Sequence, residues 1–217
     1  MSHFCDIVET LDREVLLFIN GHNAPCIDQV FWAITQTYAW IPLYLLVVCL
    51  LFRCYRSSAW QLLLLIVLAV AVSDIISSGI LKPLLHRPRP THSPELSGRL
   101  RIFVKPDGAP YYGGRYGFPS SHATNSTVTA ILTCFLLAPF LQRRWPLYLF
   151  MLFYVLVFCY TRPYFGVHYP TDILAGWCLG TVVSVPIALW ARRKYIPLHY
   201  QGVPFTQRAS EYCNYKF

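Results

Sequence analysis

Three short segments of the chain carry side chains suited to gripping a phosphate and breaking its ester. The first runs from Lys82 to Pro90 (KPLLHRPRP), the second from Pro119 to His122 (PSSH), and the third from Thr161 to Asp172 (TRPYFGVHYPTD). Lys82 and Arg89 stand either side of a proline-punctuated turn. Arginine offers a planar fork of donors that matches phosphate oxygens, and lysine a compact point charge. Ser120 stands where it can cap the helix that follows, and the first amides of a helix bind anions. Ser121 adds one of those amides. His168 precedes Asp172 by four residues, with Pro170 between them, so a helix is expected to start near residue 169 or 170. That puts His168 at the helix mouth and Asp172 in its first turn. A carboxylate on one imidazole nitrogen leaves the other lone pair free, which prepares a histidine as a nucleophile. Taken singly, each feature has a structural explanation: cations that snorkel to headgroups, an ordinary serine cap, an interfacial His–Asp pair. Taken together, three cations, two imidazoles and one carboxylate favour a site.

The elements that hold these segments are strongly apolar. Of the 217 residues, 55% are hydrophobic and only 13% charged, against about 25% charged in a typical soluble domain. The aromatic share is 16%, in keeping with Trp and Tyr at bilayer interfaces. The pattern predicts an all-α, polytopic membrane bundle in one domain spanning residues 1–217. Five spans are expected, at roughly 30–53, 59–82, 120–141, 145–162 and 170–191, each near the ~20 residues a bilayer requires. The first is the least clear, because Thr35, Gln36 and Thr37 interrupt it. Ahead of them, residues 1–27 read as an amphipathic helix, too charged to span and suited to the membrane surface. Gly21, Asn23 and Pro25 are expected to end it. No basic stretch leads into a continuous apolar core at the N-terminus, so insertion is expected to fall to the internal segments.

Net charge is +8. The cations lie in short clusters between apolar runs, which argues against nucleic acid as a partner. Arg53, Arg56, Arg143, Arg144, Arg192, Arg193 and Lys194 mark three ends that should face the cytoplasm. The motif-bearing ends should then face outward, with Lys82, Arg87, Arg89 and Arg162 tied to anions. Residues 83–118 form a long loop joining the first two motifs, expected as a lid or substrate-selecting cap. Its cations Arg99, Arg101, Lys105 and Arg115 suit either a multiply phosphorylated headgroup or anionic lipid. Asp74, inside the second span, is expected to be structural, satisfied by Ser77, Ser78 or a neighbouring helix. The eight cysteines form no CxxC pair and read as small hydrophobes, with a Cys5–Cys26 bridge left open. Residues 196–217 are aromatic and mixed in charge, without an assigned role.

The three motifs together resemble the type 2 phosphatidic acid phosphatase superfamily, whose pattern is K-x6-RP, then PSGH, then SR-x5-H-x3-D. Lys82, Arg89 and Pro90 match the first; Pro119, Ser120 and His122 the second, with Ser121 in place of Gly; Arg162, His168 and Asp172 the third, with Thr161 in place of Ser. The resemblance covers roughly residues 59–191. It implies an integral-membrane lipid phosphatase in which His168 attacks phosphorus and Asp172 orients it. His122 protonates the leaving oxygen and then activates water. Lys82, Arg89, Arg162, Ser120 and Ser121 hold the phosphate. No cofactor is implied, and no metal, because the protein cations hold the charge and no clustered carboxylates suit Mg²⁺. The expected partners are an anionic lipid phosphate and membrane lipids. The expected setting is a bacterial inner membrane with the site facing the periplasm. Undecaprenyl diphosphate leads the substrate candidates, followed by lipid A and phosphatidic acid or phosphatidylglycerol phosphate. Two other readings carry less weight. A transporter lacks support from a single intramembrane acid, and a vanadate-dependent haloperoxidase would be soluble.

Overall fold

The computed structural model describes residues 2–196, with side chains from residue 6 onward; the 197–217 stretch lies outside the described residues. The chain is built from helices: α1 Ser2–Gly21, α2 Pro25–Thr35, α3 Ile41–Tyr55, α4 Ala59–Asp74, α5 Lys82–Leu85, α6 Ser121–Leu137, α7 Trp145–Tyr164 and α8 Pro170–Tyr195. Two isolated bridges, Pro88 with Tyr116 and Val104 with Pro110, lie in the long loop.

Four helical stretches among the described residues are long and apolar enough to cross a membrane: Thr37–Leu85, Ser121–Phe140, Trp145–Tyr164 and Pro170–Tyr195. Five separate spans were expected, and the difference lies in the first stretch. Straight, its 49 residues would reach about 73 Å at 1.5 Å per residue, over twice a ~30 Å hydrocarbon core. It is not straight. Arg56 takes a positive φ of 51°, and Phe52 packs on Trp60 across the corner, with ring centroids 4.8 Å apart. Thr37, at its start, and Asp74, well beyond the corner, line one cavity. The first expected span also starts later than 30. Gln36 is extended and ends α2, because a polar Thr-Gln-Thr run is a poor place to continue a lipid-facing helix.

α6 is the central helix, buried against α8 on one side and α4 and α7 on others. Its closeness to α8 depends on two glycines one turn apart. A Cβ on Gly176 would lie 2.6 Å from the Ser120 carbonyl oxygen, and one on Gly180 would lie 2.7 Å from that of Thr124. Small residues let membrane helices approach this closely. α4 runs into α5 through a π-helical segment, Ile75–Leu81. Its wider turn lets the neighbours Ser77 and Ser78 both reach Ser121.

The bundle has two unlike ends. Tyr55, Ala59, Phe140, Ala191 and Ile196 meet in one apolar cluster, which gathers the chain ends bearing Arg53, Arg56, Arg143, Arg144, Arg192, Arg193 and Lys194. The three motifs gather at the other end. α1 and α2 close that end from outside the bundle. Asn20 of α1 donates to the carbonyls of Tyr164 (2.9 Å) and Arg101 (3.1 Å). Asp28 of α2 pairs with Arg101 and accepts from the Tyr164 hydroxyl at 2.7 Å. α1 is inside-out for a soluble helix. Asp12, Leu16 and Asn20 are buried, while Ile7, Leu11, Val15 and Phe18 are exposed. Cys26 is a free, exposed thiol; the Cys5 side chain is outside those described.

Candidate active site

The third motif is placed by a turn between α7 and α8. Gly166 has a φ of +71°, which a side chain would strain. The turn closes with Gly166 N–H donating to the Pro163 carbonyl (2.9 Å) and Val167 N–H to that of Arg162 (3.0 Å). α8 then starts at Pro170, with Asp172 in its first turn as expected. Asp172 is fully buried. Its Oδ2 accepts from the Tyr169 N–H at 3.0 Å and faces His168 Nδ1 at 3.2 Å. The carboxylate therefore holds both the helix start and the imidazole. That orientation, inferred from the bonding, leaves Nε2 as the free nitrogen. Gly117 lies over the pair: a Cβ there would sit 2.9 Å from Asp172 Oδ2 and 3.6 Å from His168 Nδ1.

The first motif enters from α5. His86, in the left-handed region, ends the helix and turns the chain across the site. Residues 87–89 are tied to 115–117, with Arg89 N–H donating to the Arg115 carbonyl (3.1 Å) and Gly117 N–H to that of Arg87 (2.9 Å). Arg89 donates from Nε to the Tyr116 carbonyl (3.2 Å) and from Nη1 to that of Val167 (3.3 Å). Burial, and then the nearby Arg162, push its pKa down to about 10, so it stays cationic at neutral pH. Lys82 Nζ donates to Ser121 Oγ at 2.7 Å.

Arg162 is buried at 1% exposure. Nη1 donates to Thr35 Oγ1 of α2, and Nη2 to the Tyr111 hydroxyl at 2.6 Å. Its Nε and Ser120 Oγ are buried without a hydrogen-bond partner. Orphaned buried polar atoms are uncommon. Here one donor-only nitrogen and one hydroxyl stand ready for an acceptor. His122 packs on Phe158, with ring centroids 5.1 Å apart, and lies near His168 and the cations Arg162, Arg89 and Lys82. It also lines a cavity of about 520 Å³ between α3, α4, α6 and α7, together with Ser121, Asp74 and Asn125. His168 is 1% exposed. Burial, followed by Arg89, Arg162 and Lys82, holds its pKa well below the usual imidazole value.

All eight residues expected at the site lie at this end of the bundle. Two differ locally from expectation. Ser120 occupies the N-cap position of α6, but its side chain makes no cap hydrogen bond. Ser121 uses its hydroxyl on Lys82, Ser77 and Ser78. Asp74 accepts from Asn125 at 3.0 Å on the neighbouring helix, and more distantly from Ser78 at 3.5 Å. The long loop does pack onto the site through Tyr111, Gly113 and Gly117. Its cations divide. Arg101 pairs with Asp28 and Lys105 with Asp107, whereas Arg99 and Arg115 are exposed.

Arg87, expected to be tied to anions, is tied to two: it donates to Asp172 Oδ1 at 2.7 Å and to Asp12 Oδ2 at 2.6 Å. Thr35, read as a blemish in a span, accepts from Arg162. Tyr111 holds the other side of the same guanidinium. Arg87 carried a signal, a second Arg-Pro inside the first motif. Asp12, Thr35 and Tyr111 carried none, since their partners lie far away in the chain.

A ring of cations around a buried imidazole–carboxylate pair, at one end of a helical membrane bundle, defines a class of phosphate-handling membrane enzyme. Comparison with known proteins agrees: the PAP2 superfamily profile matches residues 58–196. The chain belongs to that superfamily and is a multi-pass membrane phosphoric ester hydrolase. It is 33% identical to a lipid A 4'-phosphatase of Bacteroides thetaiotaomicron, over 81% of this chain and 74% of that one. It is 28% identical to a lipid A 4'-phosphatase of Porphyromonas gingivalis, over 86% and 76%. Its fold is similar to the crystal structure of a transmembrane PAP2-type phosphatidylglycerolphosphate phosphatase from Bacillus subtilis, with a TM-score of 0.67 and 20% identity over 88% of this chain and 89% of that one.

Proposed function

We propose that the chain hydrolyses the phosphate of a membrane lipid in two steps through a phosphohistidine at His168. In the first step, Nε2 of His168 bonds to phosphorus as the bond to the lipid oxygen breaks. His122 gives its proton to that oxygen. In the second, His122 takes a proton from water, the water oxygen bonds to phosphorus, and the bond to His168 breaks. Phosphate leaves and both imidazoles are restored. Asp172 keeps the attacking ring oriented and stabilises the charge it gains. Lys82, Arg89, Arg162 and Ser120, with the Ser121 amide at the α6 N-terminus, hold the phosphoryl oxygens as charge shifts onto them. These cations do the electrostatic work that a metal does elsewhere, so the reaction proceeds without one.

The observation that carries this reading is the buried His168–Asp172 pair beside the orphaned Ser120 Oγ and Arg162 Nε. The similarity to two lipid A 4'-phosphatases favours a phosphorylated glycolipid as substrate. Undecaprenyl diphosphate, the leading candidate on sequence, is the competing one. The reaction takes place at the outer leaflet of a bacterial inner membrane, opposite the arginine-rich end, as the distribution of cations favours. α1 lies in the interface, with Ile7, Leu11, Val15 and Phe18 toward lipid. The 49-residue first stretch makes two passes, which gives five in all. The test is phosphate release from lipid A, undecaprenyl diphosphate and phosphatidic acid in detergent micelles, with EDTA present and His168→Ala as control. Release from at least one lipid, lost in the variant and unaffected by EDTA, is expected. Equal release by the variant would overturn the mechanism.

A further inference from the structure

Asp172 has two oxygens, and only one faces His168. Oδ1 accepts from Arg87 Nη1 at 2.7 Å. The other end of that guanidinium, Nη2, meets Asp12 Oδ2 at 2.6 Å. Asp12 belongs to α1, is 3% exposed, and also holds Thr171, accepting from its N–H at 2.9 Å and from its hydroxyl. Arg87 donates to the same Thr171 hydroxyl at 2.7 Å and lies over the Tyr169 ring, 4.5 Å from its centroid. The guanidinium is thus fixed in plane and on a face.

We propose that Arg87 and Asp12 are positioning residues for the nucleophile: Arg87 locks the carboxylate that orients His168, and Asp12, reaching in from α1, locks Arg87. The relay rests on the phosphohistidine reading of the site and adds two residues to it. A carboxylate free to turn about its last bond would hold the imidazole in several poses, and only one aims Nε2 at phosphorus. Arg87 removes that freedom through the oxygen that His168 does not use. Its charge matters too. It shares the negative charge of Asp172, and so sets how much of that charge His168 feels. The other groups facing His168 are Arg89, Arg162, Lys82 and the Gly117 backbone, with His122 nearby. The relay also makes α1 part of the site. Its outer stripe is apolar and its inner face carries Asp12, so the seating of α1 bears directly on the nucleophile.

The test uses the full chain in detergent micelles, with phosphate release from lipid A and phosphatidic acid read across pH for wild type, Arg87→Met, Arg87→Lys, Asp12→Asn and the Asp12→Asn/Arg87→Met double variant. Arg87→Met is expected to lower kcat about 10- to 100-fold, the size found when a partner that orients a working group is removed, with KM nearly unchanged. The acid limb of kcat/KM should move to higher pH, because an Asp172 stripped of its counter-charge favours protonated His168. Arg87→Lys should recover part of the rate. Asp12→Asn should act in the same direction more weakly, and should add nothing to Arg87→Met. A wild-type kcat and pH profile in Arg87→Met would overturn the relay, as would independent, multiplying effects in the double variant. If Arg87→Met does not fold, the near-isosteric Asp12→Asn decides alone, and an unchanged rate and profile there overturns the relay. An inactive wild type on every lipid phosphate would instead overturn the phosphatase reading beneath it.

Discussion

His168 sits in an environment that refuses a proton. Burial and the cations Arg89, Arg162 and Lys82 all disfavour imidazolium there, so its pKa falls well below the ordinary 6.5. The ring is therefore neutral, as the proposed attack requires, at every pH above the lowered value. The acid limb of kcat/KM, which reports the free enzyme, should therefore lie below pH 6.5. A limb at or above that value would contradict this environment. Gly117 offers a second check. A methyl there would come within 2.9 Å of Asp172 Oδ2, so Gly117→Ala should displace the pair and lower kcat about tenfold or more, while the melting temperature in detergent stays near wild type. Arg162→Lys keeps charge but loses the fork, and with it either the Thr35 or the Tyr111 contact. A fall of about 100-fold in kcat is expected, comparable to removing one donor that stabilises developing charge. Most of the candidate residues were legible from type and spacing, because a histidine four residues before an acid, set among several cations, is a chemically distinctive set. Asp12 and Thr35 were not, because an acid on a surface helix and a threonine in an apolar run have innumerable uses. Only their partners give them one.

Helix α6 carries Ser120, Ser121 and His122 at its start, and its position is set by contact with α8, which carries Asp172. Backbone joins the two directly, with Ser120 N–H donating to the Asp172 carbonyl at 2.9 Å. Gly176 and Gly180 make that distance reachable. Gly176→Val should therefore do two things at once. It should destabilise the bundle by about 1–3 kcal/mol, the usual cost of overpacking, read as a lower melting temperature in detergent. It should also lower activity further than a remote substitution of equal stability cost, because α6 would have to move away from α8 at the site itself. Equal loss from a remote variant would refute the coupling. Helix existence and approximate bounds followed from apolar runs and prolines: α7 and α8 both start where they were expected. The interruption at Thr35, Gln36 and Thr37 marked the place where α2 ends, but the π-helical segment before Lys82 had no such mark. A π turn leaves no clear composition signature, since it answers to the polar partners it must reach, here Ser121 on another helix.

The whole molecule separates its charges by end. The arginine-rich chain ends meet in one cluster, and the three motifs meet at the other. Cysteines placed singly near Arg99 and near Arg143 should therefore be labelled by impermeant reagents from opposite sides of the membrane, with the Arg99 position accessible from outside. Labelling from the same side would refute the two-ended arrangement. Vanadate, which adopts the geometry of a phosphoryl group in transit, should inhibit by competing for the site, and His168→Ala should weaken that inhibition.

By itself the amino-acid pattern determined that the chain lives in lipid, because its long apolar runs leave water no place in the interior. It also marked out the side chains proposed to act on a phosphate, because charge is costly in such a chain and three short segments concentrate it. It could not determine how those side chains meet. That was decided by helices closing on one another at two glycines, by a loop laid across the motif ends, and by α1 turning its acid inward and its apolar stripe outward. Contacts between residues 51 to 159 positions apart leave no trace in local spacing, and they exist only once the bundle has closed.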